Sequence, residues 1–304
     1  MMDSAARPAT LDRRSPYADG LTLLRGPDCE SSGLPLLCLP ILTRSASLLN
    51  LLLQDGAVDL ELTSSVVALD PGLAFTTLQL ANRERREEDE LIWQFPLAVV
   101  AGGQHRLLQA VNQAPKIESY SSTKIRAELR QLWVRAVVLA CLARVLSQQV
   151  GGGNPRQAFL AGLLFELPAL VQLTFPSCPS SQLGLQAAWR ESLPPGIAAA
   201  IGQARGYDHV HAPSKDGPQT SLAASILLAE MLLGCTMRVS SPGPGKGREL
   251  ASNSVWQCWK ETSLCQRHLL LDRCCELARW AAAHVAGMNP WEFTARLERS
   301  KGWE

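Results

Sequence analysis

Glu166 is the only charged side chain in Phe159-Leu-Ala-Gly-Leu-Leu-Phe-Glu-Leu-Pro-Ala-Leu170, and this run most narrows what the chain can fold into. A run this apolar reads as a helix buried in a protein core. A carboxylate placed there needs a partner, because an unpaired buried charge is costly. The wider run Phe159–Leu173 and a second one, Leu222–Cys235, are interrupted by Glu166 and Glu230. Both are expected to be too short and too interrupted to span a bilayer.

The rest of the chain is also patterned for helices. Leu48, Leu49, Leu52 and Leu53 mark one apolar helix face. Asp59 opens a second helix through Leu69, and Asp70-Pro71 supplies an N-cap and a first-turn proline for a third, ending near Asn82. Apolar periodicity resumes over Leu91–Val111, across Gly102-Gly103. Pro115–Thr123 reads as a polar connector about which two lobes would rotate. A longer helix is predicted from about Lys124 to Gln149, with Leu132, Val138, Leu139, Leu142, Val145 and Leu146 on its apolar side. Gly151-Gly-Gly-Asn-Pro155 ends it and starts the next. An alanine-rich helix follows Leu193-Pro-Pro-Gly196, and another covers Leu222–Met237. No alternating strand pattern stands out, so the expected fold class is all-α.

Charge excludes some partners. With 29 basic and 28 acidic side chains the net charge is +1, which gives no general attraction to nucleic acid or anionic lipid. The charged run Arg83–Glu90 reads as a solvated loop or helix end. Nine cysteines without a Cys-x-x-Cys pair argue against a zinc ribbon, and most lie in apolar helical patterns where a thiol behaves as a small hydrophobe. Free thiols, an N-terminus without an apolar signal core and no spanning helix lead to the expectation of a cytoplasmic protein.

Two stretches resemble a known family. Val66–Asn82 is similar to the signature of HDOD domains (HD-related output domains), carried here by Asp70, Pro71, Leu73, Leu78, Ala81 and Asn82. Leu132-Trp133, followed after a helix by Gln157-Ala-Phe-Leu-Ala-Gly-Leu-Leu164, resembles the phrase that in that family leads into His-Asp-Ile-Gly. The resemblance implies a two-lobed all-helical domain over about residues 30–240, with a bundle lobe near 30–115 and an HD-like lobe near 124–240. Residues 1–29 would form a disordered N-terminal segment, and 241–304 a linker and helical extension.

HD phosphohydrolases, to which the second lobe is related, hold a divalent metal through a His, a His-Asp pair and a distant Asp. Carried over position by position, the first His falls on Arg135, the pair on Phe165-Glu166 and the distant Asp on Glu230. The family's His-rich helix reads Ile201-Gly-Gln-Ala-Arg-Gly-Tyr207 here. Two carboxylates remain and no imidazole, so the resemblance implies a pseudo-enzyme with no catalytic residues, no metal and no cofactor. Either Arg135 pairs with Glu166 or Glu230 in place of a metal, or all three reach solvent.

The expected role is signal transduction in a bacterium through contacts with unidentified signalling proteins, with no nucleic acid and no membrane. One alternative is a nucleotide or phosphate sensor in which Arg135 meets a phosphate. Another is a residual metal-dependent phosphohydrolase using Glu166, Glu230 and the Asp208, His209 and His211 loop, which otherwise reads as solvated. Lys246 between Gly245 and Gly247 does not complete a phosphate-binding loop, since no Ser or Thr follows and a helix precedes it. Five of the eight tryptophans lie in the C-terminal segment. They read as a helix packed back on the domain or, at Trp291 and Trp303, as a docking face.

Overall fold

The computed structural model describes residues 37–54, 59–85, 89–150, 153–175, 189–205 and 218–237, together with Asp272 and Glu276. The regions predicted over 1–29 and 241–304 therefore lie outside the described residues, those two positions excepted.

Among the described residues the fold is all-α. Helices α1 (Thr43–Gln54), α2 (Leu60–Ala68), α3 (Pro71–Asn82), α4 (Phe95–Gly102) and α5 (Gln104–Gln113) pack together. A 3-10 turn, Ile117–Ser119, leads into α6 (Thr123–Val150), followed by α7 (Pro155–Leu164), α8 (Leu167–Thr174), α9 (Pro195–Ala204) and α10 (Pro218–Met237). The long helix α6 organises the second group. It packs against α7, α8 and α10, and it is buried without a break from Trp133 to Ala140. Helix α3 touches both α6 and α7, and one hydrophobic core runs through both groups.

Local signals in the sequence set the helix starts. The Asp59 carboxylate accepts from the Leu62 amide (2.9 Å), and Asn154 caps α7 by accepting from Arg156 N (3.0 Å), with a proline following at the first helical turn. Between α4 and α5 the chain turns at Gly103, whose φ of 78° is a left-handed conformation that glycine adopts without steric cost.

Three expectations need correction. The Phe159–Leu170 run is not one helix: α7 ends at Leu164 and α8 starts at Leu167. Pro168 is the cause, because it has no N–H for the Leu164 carbonyl and its ring would clash with that turn. The leucine face of α1 is narrower than expected: Leu49 and Leu53 are buried, Leu52 partly so, and Leu48 is exposed. Leu48 lies about 100° round the helix from Leu49, beyond the stripe that Ala46, Leu49 and Leu53 define. Finally, Pro155–Thr174 is long and apolar enough by length and composition to cross a membrane. Here it forms part of the core, where Ala161 to Leu167 are buried without a break.

The connector expected between the lobes makes several contacts. Residues 37–42 run beside it, and Ile41 forms a parallel bridge with Lys116. Ile41 N donates to Pro115 O (2.9 Å), and Ile117 N donates to Ile41 O (3.0 Å). Lys116 Nζ donates to the carbonyls of Val111 and Ala114, and Ile117 is fully buried. Glu118 accepts from Thr43 and pairs with Arg130 of α6 at 3.4 Å. The connector is thus tied to residues 37–42 by its backbone and to α6 by an ion pair, with a buried isoleucine between.

Candidate functional site: a buried charge cluster

Four charged side chains from four places in the second group of helices converge. Arg135 projects from α6, where it is only 6% exposed. Glu166, 5% exposed, sits in the break between α7 and α8 that Pro168 creates. Arg205 follows the last residue of α9, and Glu230 lies on α10.

Arg135 Nε donates to Glu166 Oε1, and Arg135 Nη2 reaches Glu230 Oε1 at 3.4 Å. Arg205 Nη2 meets the other oxygen of Glu166, Oε2, at 3.3 Å. Arg205 Nε also donates to the Phe165 carbonyl at 2.7 Å, and its guanidinium lies over the Phe165 ring, 4.5 Å from the centroid. That stacking is a cation–π arrangement. Two guanidinium groups thus face two carboxylates, and the cluster is close to neutral.

The balance is uneven. Glu166 is gripped on both oxygens, whereas Glu230 has one long contact and a side chain 25% exposed. Burial holds the Glu230 carboxyl above its ordinary range; Arg135 opposes that shift, Glu166 adds to it and Arg205 opposes it. One donor, Arg135 Nη1, is buried without a hydrogen-bond partner.

The pairing expected of Arg135 is therefore present, with both glutamates at once. Phe165 contributes its ring and its carbonyl. Arg205 was not anticipated as a member of the site. Its signal was a permanent cation at the end of an alanine-rich, otherwise apolar helix, which has to find an anion or reach solvent. Glu166 and Glu230 are each engaged by a guanidinium, and among the described residues there is no group of three or more His, Cys, Asp or Glu placed to share a cation.

The Val66–Asn82 residues do a different job. Asp70 is completely buried. Its Oδ1 accepts from Gly72 N (3.0 Å) and Leu73 N (3.2 Å), capping α3, while Oδ2 accepts from Leu42 N (3.0 Å), tying down the strap that precedes α1. Burial lifts its pKa to about 6, against the lowering effect of these amides and of the neighbouring Trp133 and Ser45 side chains. Burial lowers the pKa of Lys116, and the nearby Asp70 and Cys38 oppose that shift. Pro71, Leu73, Leu78 and Ala81 are core residues of α3.

Asn82 closes the same helix. Its amide nitrogen donates to Ile92 O (2.8 Å) and to Ser192 O (3.0 Å), and its Oδ1 accepts from Ile92 N (2.8 Å). Trp291, Trp303, Asp208, His209 and His211 lie outside the described residues.

An all-helical domain in which a capped, fully buried Asp-Pro helix stands beside a second helical group with a central charge cluster defines the class. Comparison with protein families matches the HDOD domain over residues 39–193. The match spans just over half of the chain, and the chain belongs to the HDOD-domain family.

Among solved structures, the chain is similar to the MmoQ response regulator of Methylococcus capsulatus strain Bath. One crystal structure of that protein is 16% identical, with 77% of this chain and 98% of that one covered and a TM-score of 0.51. A fragment of it is 20% identical, with 74% and 93% covered and a TM-score of 0.49. An HDOD domain protein of unknown function from Geobacter sulfurreducens is 17% identical, with 87% and 90% covered and a TM-score of 0.30. At these identities the first shares a fold, and the other two carry no argument. No curated protein matches the chain.

Proposed function

We infer that this chain is a non-catalytic HDOD protein that works in signal transduction through protein contacts. The observation that carries this is the identity of the groups at the converging positions. Where the resemblance places an HD metal and its ligands, Arg135 donates to both Glu166 and Glu230. A guanidinium cannot give up its charge or a lone pair to a metal, so the centre has the cross-linking role of a metal without its Lewis acidity. The name of the structurally similar MmoQ response regulator agrees with a regulatory role. A cytoplasmic setting suits the free thiols Cys38 and Cys141, the first pushed up to about 11 by burial and so held as an unreactive thiol.

A residual phosphohydrolase has less support, because it needs Glu166 and Glu230 free of their arginines. The test is metal content of the purified chain by plasma mass spectrometry, with a phosphodiesterase assay in added Mn, Mg and Zn. The expected result is no stoichiometric metal and no turnover. Stoichiometric metal that is lost in Glu166→Ala overturns the reading.

A further inference from the structure

The charge cluster contains one group with nothing to bond. Arg135 Nη1 is buried and has no acceptor, although Nε and Nη2 of the same guanidinium are used. A buried arginine donor without an acceptor is unfavourable, and such forks match oxyanions geometrically. Beside it, Glu230 makes its only described hydrogen bond, to Arg135, at a long 3.4 Å, and its side chain is the most exposed of the four charged groups. Arg205 is within reach of the same place through its bond to Glu166, and its side chain is 16% exposed.

We propose that this cluster is an oxyanion site occupied by its own side chain: the Glu230 carboxylate holds the place of a phosphate-type ligand at Arg135. When Glu230 swings toward solvent, which its 25% exposed side chain already reaches, the incoming oxyanion takes the place of the carboxylate and keeps its remaining oxygens on the solvent side. The incoming oxyanion accepts from Nη2 and from the unpaired Nη1, a two-point contact that Glu230 does not make. Glu166 stays in place, held on both oxygens by Arg135 and Arg205. It sets the polarity of the site by fixing both guanidinium groups. No bond is made or broken, so the site senses an anion and does not turn it over.

Competition of this kind has a pH signature. The charged groups facing Glu230 are Arg135 from α6, Glu166 from the α7–α8 break and Arg205 from the end of α9. Protonation of Glu230 removes the internal competitor. Acid therefore favours the external anion. The proposal rests on the metal-free reading of this cluster given above and adds to it a ligand class and an internal competitor.

The experiment is calorimetric titration of the full chain with sodium sulfate, which stays dianionic throughout, and with inorganic phosphate, at constant ionic strength set with chloride. The wild type is compared with Glu230→Gln, and metal content is measured on the same samples. Affinity for both anions is expected to rise about tenfold in Glu230→Gln, because the competent state no longer has to be opened. Adding Arg135→Lys, which keeps the charge and loses the fork, is expected to abolish the gain. If Glu230→Gln does not fold, the wild type decides alone: its sulfate affinity must rise as pH falls. Equal affinities in wild type and Glu230→Gln, no sulfate binding by folded Glu230→Gln, or a wild-type affinity independent of pH overturns the proposal. Bound metal would overturn the metal-free reading itself, and a metal-free protein that ignores both anions sinks only the oxyanion site. A nucleoside monophosphate titrated in parallel that binds tighter than inorganic phosphate identifies an esterified ligand.

Discussion

Asn82 and Ser192, 110 residues apart in sequence, are joined by a 3.0 Å hydrogen bond from the asparagine amide to the serine carbonyl. The same side chain clamps Ile92 through its N–H and C=O. Asn82 thus fixes the end of α3, the start of the segment leading to α4, and the helical turn at 189–192. Replacing it with alanine leaves the part-buried N–H and C=O of Ile92 and the buried Ser192 carbonyl without their side-chain partner. Asn82→Ala is expected to cost about 2–3 kcal/mol in urea denaturation. A loss within error of zero would show that solvent replaces all three bonds.

The charge cluster predicts asymmetry between breaking a pair and removing it. Arg135→Met leaves Glu230 without its arginine and Glu166 with only Arg205. The expected loss is about 1–3 kcal/mol, since Glu166 loses one of its two arginine partners while the partly exposed Glu230 turns toward solvent. Arg135→Met combined with Glu166→Met, Glu230→Leu and Arg205→Met removes all four charges, so that no guanidinium is left without its carboxylate, and should regain most of that loss, again by chemical denaturation. If the quadruple variant is no more stable than the single one, the four charges contribute more together than desolvation arithmetic allows.

Legibility in the sequence followed the range of the forces involved. Asp59, Asp70-Pro71 and Asn154-Pro155 announce their helices because a cap and its donors lie within three residues, and those starts are where the structure has them. The α7–α8 break was written in Pro168 but hidden by the apolar run around it. Arg135, Glu166 and Glu230 were gathered only through a family resemblance. Periodicity says which way a side chain faces on its own helix, and says nothing of which helix comes to meet it. Arg205 and the Lys116 strap contacts depend on such meetings, with partners 39 residues away for Arg205 at Glu166 and 75 for Glu118 at Thr43.

Helices α6 and α7 approach closely at Gly162. A Cβ added there would stand 2.8 Å from Ala140 Cα and 2.9 Å from Leu139 O, both backbone atoms of α6. Backbone cannot step aside as a flexible side chain does, so the helices must separate. Gly162→Ala is expected to destabilise by about 1–3 kcal/mol despite alanine's better helix propensity. A stabilised variant, read from its thermal midpoint, would mean that α7 slides without cost.

Asp70 predicts an unusual pH dependence. Its carboxyl is fully buried, and burial raises its folded pKa to about 6 from 3.8. Below the unfolded value both states are protonated and the folded state carries no penalty. Between that value and about 6 the folded state holds a proton that the unfolded state has released, so stability falls as pH rises. A shift of about two units corresponds to about 3 kcal/mol, present in acid and lost by neutral pH. Glu230, also raised, acts with the same sign. Glu118 acts the other way: burial pushes it up, but hydrogen bonds from Thr43 and Arg130 outweigh that and lower it, so its contribution disappears in acid. The comparison that isolates Asp70 is wild type against Asp70→Asn across the range from acid to neutral. The variant loses one acceptor, since its NH2 must face either Leu42 N or the Gly72 and Leu73 amides, and it should be less stable than the wild type in acid. Because the asparagine does not titrate, that stability gap should narrow by about 3 kcal/mol on going to neutral pH. A gap that is flat, or that widens with pH, would mean that the amides of Leu42, Gly72 and Leu73 hold Asp70 ionised at an ordinary pKa in spite of its burial.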